Sequence, residues 1–186
     1  QSALNLTMFP LSGNPACSLD YLLVDETLKI KKVVVEEVSE TGAVPELLMT
    51  NFSSSHVFVV DGTELVGAKQ NQIVNASFLI PPESVTKIPV SCVEQGRWRY
   101  KGKQFEGSRY HSPHSVRREI HDHQKISLKA RLGHRSDQGK VWAATSLFEK
   151  YEPVGVGEDW RYDGKLSFGK ALHYHEDLVH LSAFRK

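Results

Sequence analysis

The chain has 186 residues, 40% hydrophobic and 24% charged, with a net charge of +1. That composition fits one globular domain over residues 1–186, able to bury roughly 70% of the surface an unfolded chain exposes. No run of ~18 apolar residues is present to cross a bilayer as a helix, and no basic-apolar leader opens the sequence, so the expected setting is the cytoplasm with no membrane partner.

Residues 32–38 (KVVVEEV) and 46–50 (ELLMT) are rich in strand formers and flank a glycine- and proline-containing turn, which predicts neighbouring strands. HVFVV and TELVG flank Asp61-Gly62, a pair that supplies the positive backbone angles of a tight hairpin. From Ile73 to Ile80 the residues Val74, Ala76, Phe78 and Ile80 recur with period two, so one continuous strand is expected, with Asn75 turned away from the Phe78 face. Val85 to Val93 reads as the next strand, with Pro89 suited to an edge or a bulge because it lacks an N–H.

Ser112-Pro113 has the form of a helix start, and Gly133 could close that helix, although Ile126, Leu128, Ala130 and Leu132 alternate as a strand would. The helix is the preferred reading. Ser136 or Asp137 can cap a second helix whose stripe is Val141, Ala144, Thr145 and Phe148. WRYDGKLSF, KALHYH and LVHLSAF then suggest a return to strands. A mainly β chain with one or two helices (α+β) must close or stack its sheets, so a β-sandwich or a partly open β-barrel is expected.

Charge is uneven. Between Arg97 and Arg135 there are 11 Lys and Arg against Glu106, Glu119 and Asp122, so that segment carries +8 and the remainder −7. An anionic partner is one explanation; a solvated face balanced by acidic neighbours is the other.

Two polar-rich stretches stand out. GAKQNQIVN places Lys69, Gln70, Asn71 and Asn75 beside apolar runs, a set able to hold a polar anionic ligand or, equally, to satisfy loop backbone. In SCVEQGRWRY, Arg97 can fork onto phosphate, Trp98 can stack, and Glu94 can act as a general base. Cys92 follows an apolar strand with no basic neighbour within two positions, so it reads as a buried, inert thiol. With Cys17 it is too distant for a zinc-type pair and too little for a disulfide framework. The pairs His121/His123 and His173/His175, with Glu176 and His180, could hold a metal on strand faces; water-exposed faces accept histidine as readily, and no metal site is adopted.

ELVGAKQNQIVN, IPVSCVEQGRW and GHRSDQGKVW, in this order, resemble the ARG and Rhodanese-Phosphatase-superfamily-associated protein domain family, as do VSETGAVPEL and LVHLSAF. The family name implies a setting in NAD-derived or ADP-ribose metabolism and names no cofactor or reaction. By motif, the resemblance points to Gly67, Lys69, Gln70, Asn71, Asn75, Gln95, Arg97, Trp98, His134 and Gln138 for ligand binding. Glu94 and Asp137 are the candidates for acid–base work. The expected partner is an anionic small molecule, a phosphate-bearing nucleotide derivative with ADP-ribose first. Alternatives are an enzyme acting on such a ligand, RNA binding through residues 97–135 with Trp98, Tyr100 and Tyr110, and a scaffold whose polar motifs only order loops.

Overall fold

The computed structural model describes residues 2–3, 6–7, 9, 19–38, 45–68, 70–93, 95 and 102–151. The expected tail strands, with His173, His175, Glu176 and His180, lie outside them. A short pair, β1 (Ser2–Ala3) and β2 (Leu6–Thr7), comes first, then β3 (Tyr21–Leu23), α1 (Val24–Lys29), β4 (Val33–Glu37), β5 (Glu46–Asn51) and β6 (His56–Val59). β7 (Thr63–Gly67), β8 (Gln72–Val74), β9 (Phe78–Ile80), β10 (Ser84–Cys92) and β11 (Gln104–His111) follow, and then α2 (His114–Lys129) and α3 (Gln138–Tyr151).

The fold is mainly β with two substantial helices. Six strands close a barrel in the order β10-β5-β4-β11-β7-β8, with β8 pairing back to β10. Closure removes sheet edges that would otherwise need cover. The expected neighbours β4 and β5 pair antiparallel, Val35 opposite Met49. Inward positions alternate along each strand, and Val33, Val35, Leu47, Met49, Leu65, Val74, Ile88, Val90 and Phe105 fill the interior. A three-stranded sheet, β3-β6-β9, adds Val57, Val59 and Ile80 to the same core.

Two expected pairings are corrected. The strands flanking Asp61-Gly62 both exist, yet β6 pairs with β3 and β9 while β7 pairs with β11 and β8, so the turn is a corner between sheets and not a hairpin. Likewise the single strand expected over 73–80 is split: β8 belongs to the barrel and β9 to the small sheet, with Asn75 at the break. Local alternation reports which residues are extended; it carries nothing about which partner they meet. Pro89 is also not at an edge. It lies where β10 changes partner, pairing with Glu46 of β5 just before Val90 takes up Val74 of β8, and so its missing N–H falls at a break in the ladder.

Gly62 makes the corner. Its φ is +80°, its N–H donates to Val74 O at 2.7 Å, and its carbonyl accepts from Ser112 N at 2.8 Å. A Cβ there would sit 2.4 Å from Cδ of Arg117, whose stem crosses the turn. Asp61 is held in place by His121 Nε2 at 3.1 Å, by the Arg117 guanidinium at 3.7 Å and by the Ser77 hydroxyl at 3.2 Å. The first half of α2 is thereby fastened to the corner.

α2 bears out the helical reading of its region, but its N-cap is Pro113 and the Ser112 hydroxyl caps nothing. Val116, Ile120, Gln124 and Ser127 form the buried stripe, a 3.6-residue period that outweighs the local alternation of Ile126 and Leu128, both exposed. At its C-terminus Arg131 adopts φ +57° and donates to Leu128 O at 3.0 Å, while Leu132 N donates to Ser127 O at 2.9 Å. These are the two bonds of a Schellman ending, with arginine where glycine is usual.

Gly62→Ala should destabilise the protein by about 2 kcal/mol or more, from left-handed strain plus displacement of Arg117. Arg131→Gly should instead stabilise it by roughly 0.5–1 kcal/mol, since the strain is relieved and no packing is lost. Urea unfolding midpoints that move together, or not at all, would contradict both assignments.

Candidate functional site

Three connections leave the same end of the barrel, those after β4, β7 and β10, because the strands they join run antiparallel. The alternation of β8 and β10 decides what faces that end. Val74 and Val90 are in the barrel core, whereas Ile73 belongs to a second cluster outside it, so Gln72 and Cys92 point inward at the mouth. Gln72 Nε2 donates to Cys92 Sγ at 3.1 Å, as expected of side chains directly opposite.

The ladder continues one step further. Val93 N donates to Asn71 O at 3.2 Å, so Asn71 and Val93 share the outward face with Ile73. Gln70 is only 5% exposed. Glu37, at the end of β4, continues the inward series of Val33 and Val35 and is half-buried there. Among the described residues the mouth is therefore lined by Glu37, Gln72 and Cys92 above a floor of Leu47, Leu65, Val90 and Phe105.

Behind the β8–β10 wall the helices dock through a polar seam. Asn75, 1% exposed, uses all four of its hydrogen-bonding groups. Its N–H donates to Pro89 O at 3.0 Å and its carbonyl accepts from Gln124 Nε2 at 2.8 Å. Its side-chain oxygen accepts from the Ser91 hydroxyl at 2.6 Å, and its side-chain nitrogen donates to His134 O at 3.3 Å. Since the one hydrogen of Ser91 is committed to Asn75, the Ser136 hydroxyl 2.5 Å away must donate to Ser91.

Gln138 completes the seam. β10 outruns β5, which begins at Glu46, and leaves the Cys92 N–H and C=O without a neighbouring strand. The Gln138 amide supplies both bonds, accepting from Cys92 N at 3.0 Å and donating to Cys92 O at 2.6 Å, as a strand would. Asp137 caps α3 by accepting from Lys140 N at 3.2 Å, which settles the choice between Ser136 and Asp137. Ile73, Val93, Val116, Ile120, Val141 and Ala144 form the apolar part of the same interface.

The three sequence stretches thus meet, but chiefly with one another. Asn75 and Gln138 bind the protein's own backbone, Asn71 is buried on the seam side, and the His134 carbonyl is taken up by Asn75. The His134 ring stands edge-on to Phe78 with centroids 6.1 Å apart, and its Nδ1 is buried without a partner among the described residues. Gly67, at φ +147°, serves backbone approach: a Cβ would lie 2.6 Å from Gln104 O on the adjoining strand. Gln70 is buried at the bend that precedes β8, and Gln95 is exposed. Lys69, Glu94, Arg97 and Trp98 lie outside the described residues, as does Tyr100.

Cys92 departs from the sequence reading. It is half-buried at the mouth and not sealed in the core, because β10 ends there. Gln72, Ser91 and Gln124 were missed by sequence reasoning. Their only signal was polarity at positions where strand or helix alternation asks for a buried side chain, which cannot distinguish an internal bond from a ligand contact.

The solvent face of α2 is less cationic than its count of basic residues suggests. Asp122 binds Lys125 at 2.7 Å and Arg118 at 3.8 Å, and the hydrogen bond and charge of Lys125 hold its carboxyl below the usual aspartate range. Among the described residues no cluster of His, Cys, Asp or Glu has metal-holding geometry, and no described helix is long and apolar enough to cross a membrane.

The family model of the ARG and Rhodanese-Phosphatase-superfamily-associated Protein domain matches residues 1–150, and the chain belongs to that family. No curated protein and no solved structure matches the chain.

Ser91→Ala should cost about 1–3 kcal/mol, because the Asn75 oxygen and the Ser136 hydroxyl both lose a buried partner. Ser84→Ala, which removes an exposed bond to Pro81 O, should stay within about 0.5 kcal/mol. Equal losses would show that the seam is not energetically distinct. In the native full-length chain, iodoacetamide should alkylate Cys92, read by peptide mass; labelling only after denaturation would place the thiol away from the mouth.

Proposed function

We propose that this family member binds a phosphate-bearing nucleotide derivative at the barrel mouth, with ADP-ribose as the first candidate, in NAD or ADP-ribose metabolism. The observation that supports the reading is the polar end of the barrel, where Gln72 meets Cys92 at 3.1 Å and the half-buried Glu37 closes β4, above a packed apolar floor. Mouths of β-barrels are preferred ligand sites because a packed floor and convergent loops enclose a small molecule without opening the core.

In this reading Lys69 and Arg97 meet the phosphates and Trp98 stacks on a ring, all three carried by the connections that follow β7 and β10 in the sequence. Asn75 and Gln138 act indirectly, by fixing β8 and β10 against the helices. Asp137 is committed to its helix cap, which leaves Glu94 as the acid–base candidate if the ligand is also turned over.

Isothermal titration of the full chain with ADP-ribose, NAD and AMP tests the reading. Binding at or below millimolar concentration is expected, weakened at least about tenfold in Arg97→Ala by the loss of one charge-assisted contact. Absence of heat with all three ligands at millimolar concentration would defeat it.

A further inference from the structure

The turn that joins α2 to α3 is open to solvent. Every residue from Leu128 to Gly133 is exposed, and with Ile126 the segment presents three large aliphatic side chains: Ile126 at 62%, Leu128 at 47% and Leu132 at 56%. Single exposed leucines are ordinary, whereas three such side chains gathered at one helix end form a patch. The Schellman ending brings Leu132 back beside the last turn of α2, the turn that carries Ile126 and Leu128. Ile126 and Leu128 lie on opposite flanks of the helix, about 200° apart, so only a partner that meets the helix end-on covers all three.

Charge gathers at the same place. Between Asp122 and Asp137 there is no acidic residue, while Lys125, Lys129, Arg131 and Arg135 are all basic and exposed. Lys125 is paired with Asp122, and the other three make no ion pair among the described residues. Arg131 stands at the apex with φ +57°, a conformation that glycine would adopt without strain. Cations around exposed aliphatic side chains are complementary to a surface that is negatively charged and oily at once, the headgroup layer of an anionic bilayer. Nucleic acid fits less well. It meets basic proteins through phosphates and through stacking on aromatic rings, and the one ring in residues 125–135 is His134, already set edge-on to Phe78.

We propose that the α2–α3 turn is a membrane-surface contact, in which Ile126, Leu128 and Leu132 enter the headgroup region of an anionic phospholipid bilayer and Lys129, Arg131 and Arg135 meet its phosphates. The contact lies on the bilayer without crossing it, so the lack of a spanning helix among the described residues does not bear on it. It is independent of the ligand site at the barrel mouth.

Co-sedimentation of the full chain with vesicles of phosphatidylcholine alone, and of phosphatidylcholine with ~30% phosphatidylglycerol, tests the proposal at ~0.1 M salt. The anionic vesicles should be bound at least about tenfold more tightly, a preference that fades as salt rises to ~0.5 M. Arg131→Gly should weaken binding by about fivefold, the effect of one charge at the surface. The same substitution relieves backbone strain, so its urea midpoint should hold or rise, which separates loss of the contact from loss of the fold. Ile126→Ser combined with Leu132→Ser should weaken binding by about tenfold or more, and both side chains are over half exposed, so no core packing is removed. No binding to anionic vesicles, equal binding to both kinds, or binding that these variants leave unchanged overturns the proposal. Capture of single-stranded RNA that is lost in Arg131→Gly, with no vesicle binding, would assign the turn to nucleic acid and overturn it as well.

Discussion

Asn75 is the point on which the architecture turns. It stands where the chain leaves the barrel for the small sheet, at a position where the barrel strand β10 satisfies two of its polar groups and the helical side must satisfy the other two. Its four partners come from β10, α2 and the segment that precedes α3. Removing any one partner strands a desolvated group on another element, so these bonds specify a single docking of the helices on the barrel. The apolar part of the interface comprises six buried residues among the described ones.

The same constraint explains how a polar-rich stretch can serve a ligand site without touching a ligand. The outward residues of β8 and β10 are locked to the helices by Asn75, Ser91 and Gln138, and this holds their inward neighbours Gln72 and Cys92 still. Side chains that must meet a small molecule have to be held by bonds formed before it arrives. Strand alternation divides the labour residue by residue: one side of a two-strand wall is structural and the other faces the opening.

Much of the local structure was legible. β4 and β5 followed from runs of β-branched residues and a turn, α2 from a proline start, and α3 from Asp137 and a stripe at Val141, Ala144 and Thr145. Asn75, Ser91 and Gln138, one from each of the three polar stretches, lie along one seam. The internal assignment of those stretches was not legible. Asn75 and Gln72 look alike in sequence, yet one is bonded across the helix seam and the other meets a thiol at the barrel mouth, and that difference depends on a β8–β10 register and on contacts with residues some 60 positions away.

What the sequence by itself determined is therefore several of the strands, both long helices and the α+β class. These follow from periodicity and from turn and cap chemistry, all of which act over a few residues. Only the tertiary structure decided that Asp61-Gly62 is a corner between sheets, that residues 73–80 serve two sheets, that the barrel closes, and that Cys92 lies at its mouth. A strand's partner is chosen by whichever distant segment best completes its hydrogen bonds and buries its apolar face, and that choice belongs to the whole chain at once.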